Sequence, residues 1–180
     1  MSQKKLNAQT LKNIAITAIC IALCLLLPQL FHLIPSAGKL FSPMHIPILI
    51  CGLACSWQYG LICGISGVTL SSLIMSMPTF AQLPGMVTEC AVYGLAASLL
   101  IKRMNNRMSY KNIYISLVCA MLLGRIAGGI AKAIFFTNTY SFSAWVSGYF
   151  VTSFPAIILQ LIIIPPIIHA LTRSGFIGEK

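Results

Sequence analysis

Six long apolar stretches, with positive charges at alternate ends, are the feature that most constrains the fold of this chain. A helix that crosses the membrane needs about 20 mostly apolar residues, and short polar connections separate the stretches. We predict an all-α membrane protein, a compact bundle of six transmembrane helices. The predicted helices cover residues 11–33, 43–57, 59–75, 84–101, 113–136 and 144–171.

Prolines modify two of these helices. The second is short and carries Pro43 and Pro47 at its beginning, where a missing N–H group costs least. In the sixth helix, Pro155, Pro165 and Pro166 are expected to kink the helix or to break its inner end. Residues 1–10 and 173–180 are predicted to flank a transmembrane domain of residues 11–172.

The distribution of Lys and Arg predicts which way the bundle faces. With six spans, the N-terminus, the connection between helices four and five, and the C-terminus share one side. That side carries nine positive charges: Lys4, Lys5, Lys12, Lys102, Arg103, Arg107, Lys111, Arg173 and Lys180. The loops of the other side contain Lys39 alone. Because positively charged loops stay in the cytoplasm, we predict that both termini are cytoplasmic.

The composition excludes several classes of protein. Only 8% of the residues are charged, against about 25% in a typical soluble domain, so lipid must be the solvent for much of the surface. The net charge of +10 does not indicate nucleic-acid binding, because the positive residues flank membrane segments instead of forming a basic face. The seven cysteines lie inside apolar segments, which is typical of packing residues and not of disulfide frameworks or zinc knuckles.

Motifs of enzymes are missing from the sequence. It contains no phosphate-binding loop, no His-Glu-x2-His zinc motif and no nucleophile elbow. We therefore predict that the chain is not an enzyme, needs no cofactor or metal, and does not hydrolyse ATP by itself.

Three charged residues break the apolar pattern. Glu89, Arg125 and Lys132 lie within predicted helices, and Glu89 and Lys132 share the half of the bundle predicted to face outside. An ionised group in the membrane costs several kcal/mol unless it is paired or hydrated. One interpretation is an outward-facing pocket for a small polar solute, in which Arg125 or Lys132 holds a carboxylate or phosphate. The alternatives are a structural pair of Glu89 with one of the two cations, and a Lys132 that simply extends to the interface.

Residues near the predicted outer mouth are further candidates. His45 begins the second helix, and Tyr93 lies one turn after Glu89 on the same helix face. Trp145 and Tyr149 are also one turn apart, at the start of the sixth helix. Aromatic residues at a membrane surface are most often interfacial anchors, so contact with a solute and anchoring both stay open.

Four features of the chain occur together in one family of membrane proteins. They are six predicted helices in 180 residues, the pair Ala18 and Ala22 on the first helix, the long outer loop into Phe41-Ser42-Pro43-Met44-His45-Ile46-Pro47, and Thr88-Glu89-x3-Tyr93-Gly94 at the start of the fourth helix. With these features the chain resembles a substrate-binding S component of an energy-coupling factor (ECF) vitamin transporter.

The resemblance implies a plasma-membrane protein with an outward-opening pocket that captures a small water-soluble vitamin or precursor. It also implies a transmembrane coupling subunit, which docks on the first helix through Ala18 and Ala22, and two ATPase subunits that drive delivery inward. Pocket residues in the family come from the first outer loop and helices four to six. The matching positions here are Lys39, His45, Glu89, Tyr93, Arg125, Lys132, Asn138 and Tyr149.

The substrate and the transport mode stay open at this point. Pantothenate fits the two positive charges, and a pyridoxine-like ring fits Glu89 together with aromatic residues. The alternative function is a stand-alone ion-coupled secondary carrier of a small polar solute, with Glu89 carrying the proton. The two halves of the sequence show no inverted repeat, which counts against such a carrier. A third interpretation is a structural membrane protein without a ligand.

Overall fold

Helices make up almost all of the described chain. The computed structural model describes residues 2–31, 41–105, 108–136 and 141–177, and no strand occurs among them. In chain order the elements are α1 (Ser2–Phe31), α2 (His45–Ala54), α3 (Trp57–Met75), α4 (Leu83–Arg103), α5 (Tyr110–Phe135), α6 (Phe142–Val146), a π-helical turn (Ser147–Val151) and α7 (Phe154–Arg173). The prediction of an all-α fold is confirmed for these residues.

Five stretches of helix are long and apolar enough to cross a membrane: Ala8–Leu30, Trp57–Met75, Leu83–Arg103, Tyr110–Phe135 and Ser147–Arg173. Helix α2 is also apolar but has only ten residues. At 1.5 Å per residue such a helix extends about 15 Å, roughly half the thickness of a bilayer core. The structure thus has the helices of a multi-pass membrane protein, and six complete spans stay a prediction.

The interruption of the final span lies earlier than the sequence suggests. A π-helical turn at Ser147–Val151 separates α6 from α7, and α7 has Pro155 in its first turn. Proline is tolerated there because the N–H group that it lacks has no helical partner. Helix α7 then continues through Pro165 and Pro166 to Arg173. Of the two predicted alternatives, the break at its inner end is wrong, and the kink stays a prediction.

Close backbone contacts bring α2, α3 and α4 together. A Cβ atom added at Gly52 would lie 2.7 Å from the carbonyl oxygen of Gly94, and one added at Gly94 would lie 2.5 Å from the carbonyl carbon of Gly60. Small residues at helix interfaces allow this close approach in membranes. The core around the contact is filled by larger apolar side chains, among them Ile48, Leu49, Tyr93, Leu117, Ile164 and Ile168.

Helix α1 has one buried and one exposed face. Asn13, Thr17, Cys20 and Cys24 are buried, and the Thr17 hydroxyl donates to the Asn13 carbonyl oxygen at 2.7 Å. The opposite face is apolar and exposed, and it consists of Leu11, Ile14, Ala15, Ala18, Ile19, Ala22, Leu26 and Leu30. The two alanines of the predicted docking pair therefore lie where lipid or another helix can reach them.

The start of α1 and the segment after α7 lie at the same end of the bundle. Lys12 Nζ donates to the carbonyl oxygen of Gly175 at 3.4 Å. Gly175 has a φ of 73°, a left-handed conformation that glycine adopts readily at the end of a helix. The chain turns back there, and Ile177 is buried. This contact agrees with termini on one side, and the membrane face on which they lie stays a prediction.

Candidate functional site

A polar cavity of about 290 Å³ opens at the end of α2 that is remote from Ile177. Its walls come from the start of α2 with the residues before it, the start of α4, the last turns of α5, and the π-helical turn with the residues after it. The lining residues are Ser42, His45, Gln82, Met86, Glu89, Lys132, Gly148, Tyr149, Thr152 and Ser153. Acidic, basic, imidazole and hydroxyl groups thus share one cavity within an otherwise apolar bundle.

Glu89 is buried and is bonded to the next turn of its own helix. The Tyr93 hydroxyl donates to Glu89 Oε1 at 2.5 Å, as the spacing of four residues on a helix allows. Arg125 Nε in turn donates to the Tyr93 hydroxyl oxygen at 3.2 Å. The phenol of Tyr93 therefore stands between the carboxylate and the guanidinium. Within the described parts of the chain, no direct ion pair joins Glu89 to Arg125 or Lys132.

Arg125 is held by protein groups. Its side chain is 2% exposed, and Nη1 donates to the carbonyl oxygen of Tyr149 in the π-helical turn. The guanidinium carbon lies 5.8 Å from the ring centroid of Phe150, a cation–π distance. Trp145 Nε1 donates to the Arg125 carbonyl oxygen at 3.2 Å. Arg125 and Tyr93 thus lie behind the cavity wall, and their contact with a solute stays a prediction.

Lys132 reaches the cavity from the last turn of α5. It is half-buried, and its ammonium nitrogen lies 4.7 Å from the ring centroid of Tyr149. The two helices are close here, because a Cβ atom at Gly128 would lie 2.9 Å from Glu89 Cβ and 3.0 Å from the Gly85 carbonyl oxygen. This close crossing places Glu89 and Lys132 on the same cavity.

His45 brings a buried imidazole to the cavity. It is 5% exposed, and its ring stands edge-on to that of Tyr93 with the centroids 5.2 Å apart. Neither ring nitrogen has a hydrogen-bond partner among the described residues. Buried polar groups are nearly always hydrogen-bonded, so the two ring nitrogens lack the partner that such groups usually have.

Three further residues named from the sequence are not among the described residues of the polar cavity. Lys39 and Asn138 lie outside the described residues. Trp145 does not line the polar cavity and instead lines a separate apolar groove with Ile126, Ile130 and Phe142. The seven cysteines form no disulfide, and the searched part of the chain contains no group of three potential metal ligands.

Sequence reasoning did not identify several residues of the cavity wall. The hydroxyls of Thr152 and Ser153 donate to the carbonyl oxygens of Ser147 and Gly148, at 3.0 and 2.8 Å. These bonds depend on the π-helical turn, which has no simple sequence signal. Ser42 and Gln82 lie at the ends of connections. For Gln82 the sequence signal is Pro84, which lies in the first turn of α4.

Comparison with protein families identifies the family of the chain. A family model described as "ECF transporter, substrate-specific component" matches residues 12–168. No curated protein matches the chain significantly, and no solved structure does. The matched range includes every described residue of the polar cavity and both alanines of the exposed α1 face. The chain therefore belongs to the family of ECF transporter substrate-specific components.

Proposed function

We propose that this S component captures a small water-soluble vitamin or vitamin precursor, of the pantothenate or pyridoxine type, at the polar cavity. It takes the solute from outside the cell and delivers it inward together with a coupling subunit and two ATPase subunits. The family itself establishes a membrane transport protein with a small-molecule substrate and membrane-embedded ECF partners. The vitamin, the ATPase subunits and the direction are the proposal.

The observation that carries the proposal is the cavity that combines Glu89, Lys132 and His45. The ring nitrogens of His45 have no hydrogen-bond partner among the described residues. Its volume of about 290 Å³ lies at the lower end of the range of small-molecule sites, about 300–1,000 Å³. This size favours the smaller vitamins, pantothenate and pyridoxine, over folate or cobalamin.

Each polar group has a distinct role in the proposed complex. The Lys132 ammonium binds a carboxylate or phosphate of the solute. Glu89 Oε1 already accepts from Tyr93, which leaves Oε2 to accept an O–H or N–H of the solute. His45 donates or accepts one further hydrogen bond. The ring of Tyr149 covers one side of the bound molecule.

Native mass spectrometry of the detergent-purified chain, taken from cells grown in rich medium, tests the proposal. We expect a retained small molecule, whose mass identifies the vitamin, and we expect Lys132→Ala to lose it. Lys111→Ala is the matched control, because Lys111 lies on the same helix, at its other end, and is exposed. Equal retention by Lys132→Ala would refute the assigned role of Lys132.

The alternative function is a stand-alone carrier that couples solute uptake to protons through Glu89. It predicts uptake driven by a pH gradient in vesicles that contain this chain alone. The S-component proposal predicts binding without uptake in those vesicles, and uptake only when the coupling and ATPase subunits are added with ATP. Gradient-driven uptake by the isolated chain would contradict the proposal.

A further inference from the structure

Lys132 follows an unusual path from α5 to the cavity. Its side chain passes directly over Gly85, in the first turn of α4: a Cβ atom added there would lie 2.7 Å from Lys132 Cε and 3.0 Å from Cδ. Gly85 is itself buried. The missing side chain of Gly85 therefore leaves a notch, and the methylene chain of Lys132 fills it.

Both sides of the notch are fixed by other contacts. Gly128 lies one turn before Lys132, and its close approach to the Gly85 carbonyl oxygen sets the spacing of α4 and α5. Beyond the notch, the ammonium lies against the ring of Tyr149. The Tyr149 backbone is in turn held by the hydrogen bond from Arg125. The notch and the ring together determine where the ammonium stands.

A lysine in the last turn of a membrane helix would otherwise extend toward the interface and keep its ammonium in water. The path through the notch directs it sideways, to the cavity that also contains Glu89 and His45. We propose that Gly85 is a positioning residue, which holds the Lys132 ammonium in the cavity so that it binds an oxyanion of the ligand. This inference rests on the proposed function.

Gly85→Ala tests the positioning directly. The atoms that the new methyl group would meet belong to a flexible side chain, so Lys132 can move while the backbone stays in place. We expect the variant to fold and the ammonium to leave the Tyr149 ring. Gly148→Ala is the matched control, since Gly148 lies on the same cavity and a Cβ atom there meets nothing within 4 Å.

The position of the lysine can be read by NMR of the full chain in detergent after reductive ¹³C-methylation of its amines. In the wild type, we expect one methyl signal shifted by the Tyr149 ring, assigned by its loss in Lys132→Arg. Gly85→Ala should move this signal toward that of an exposed lysine, and Gly148→Ala should leave it in place. An unmoved signal in Gly85→Ala would overturn the inference, whatever the ligand.

Titration calorimetry then tests recognition of the oxyanion, with pantothenate and its neutral alcohol pantothenol as probes. We expect the wild type to prefer pantothenate by roughly tenfold or more, the usual worth of a hydrogen bond to a charged group. Gly85→Ala and Lys132→Ala should each remove the preference, and the double variant should lose no more. A preference that survives in Gly85→Ala would overturn the inference. Failure of the wild type to bind pantothenate would contradict only the pantothenate alternative of the proposed substrate, and the NMR signal would then decide the role of Gly85.

Discussion

At the scale of single residues, Arg125 is a buried charge whose described contacts are with protein groups. Its hydrogen bonds to Tyr93 and to the Tyr149 carbonyl oxygen join α4, α5 and the π-helical turn. The cavity walls on two sides depend on this one guanidinium. In the proposed complex the oxyanion is bound by Lys132, which lines the cavity.

We therefore predict that Arg125→Ala lowers the free energy of unfolding by about 2–4 kcal/mol, because buried partners lose hydrogen bonds to a charged group. Thermal unfolding in detergent measures the change. Arg103→Ala, at an exposed position, is the control and should unfold like the wild type. A variant that unfolds normally but does not bind the ligand would instead indicate that Arg125 contacts the ligand.

Part of the candidate site is predictable from the sequence for a simple reason. Glu89 and Lys132 are charges in apolar segments, and a charge in the membrane requires a polar environment. The sequence does not show that a phenol separates Glu89 from Arg125, because that depends on the packing of α4 against α5. The sequence does not indicate the proposed role of Gly85 either, because that role depends on the path of a side chain from another helix.

At the scale of helices, α1 has one face that packs in the bundle and one exposed face that a partner helix can reach. Asn13, Thr17 and the cysteines face the bundle, whereas Ala18 and Ala22 are exposed. Small residues on an exposed membrane helix permit close approach of a second helix. The geometry supports the docking role that the family resemblance implies for this pair, and that role stays a proposal.

Ala18→Trp is predicted to stop uptake in cells that have the complete transporter while leaving ligand binding by the purified chain unchanged. The indole would hold the partner helix away from α1 without touching the bundle core. Ile162→Trp, at a position of α7 that is 63% exposed, is the control and should support uptake. Normal uptake by Ala18→Trp would contradict the proposal that a partner docks on this face of α1.

The contact of α3 with α4 gives a second prediction at this scale. A methyl group at Gly94 would overlap the backbone of Gly60, and a backbone cannot move aside as a side chain can. We expect Gly94→Ala to destabilise the protein by about 3 kcal/mol, at the upper end of the usual cost of overpacking. Thermal unfolding is the measurement, with Gly148→Ala as the tolerated control. Wild-type stability would mean that the two helices can separate at little cost.

Most helix positions are predictable from the sequence to within a few residues, because apolar length and charge are both visible there. The first helix is an exception, since it is predicted to begin at residue 11 and α1 begins at Ser2. The sequence predicts the fourth helix at residues 84–101, and α4 spans Leu83–Arg103. The second helix is shorter than predicted, since it ends at Ala54 before an extended Cys55. The π-helical turn was missed because it depends on Arg125 and on the hydroxyls of Thr152 and Ser153.

At the scale of the whole molecule, the charge distribution predicts that both chain ends lie on one side of the membrane. The contact between Lys12 and Gly175 agrees with this prediction. The cavity opens at the opposite end of the bundle. With the positive-inside rule, this arrangement predicts that the cavity faces the outside of the cell.

Single cysteines introduced at Thr79 and Ser109 test this orientation, since both positions are exposed and lie in connections at opposite ends of the bundle. In intact cells, we expect a membrane-impermeant maleimide to label Thr79→Cys and to leave Ser109→Cys unlabelled until the membrane is permeabilised. The reverse pattern would overturn the orientation and place the cavity on the cytoplasmic face.

The burial of the native thiols has a practical consequence for such experiments. Six of the seven cysteines are buried, and Cys119, the seventh, is partly exposed on the apolar α5. Water-soluble thiol reagents should therefore find few targets on the unmodified chain. Fluorescent or spin labels can be attached at chosen positions without first replacing the cysteines that pack its first helices.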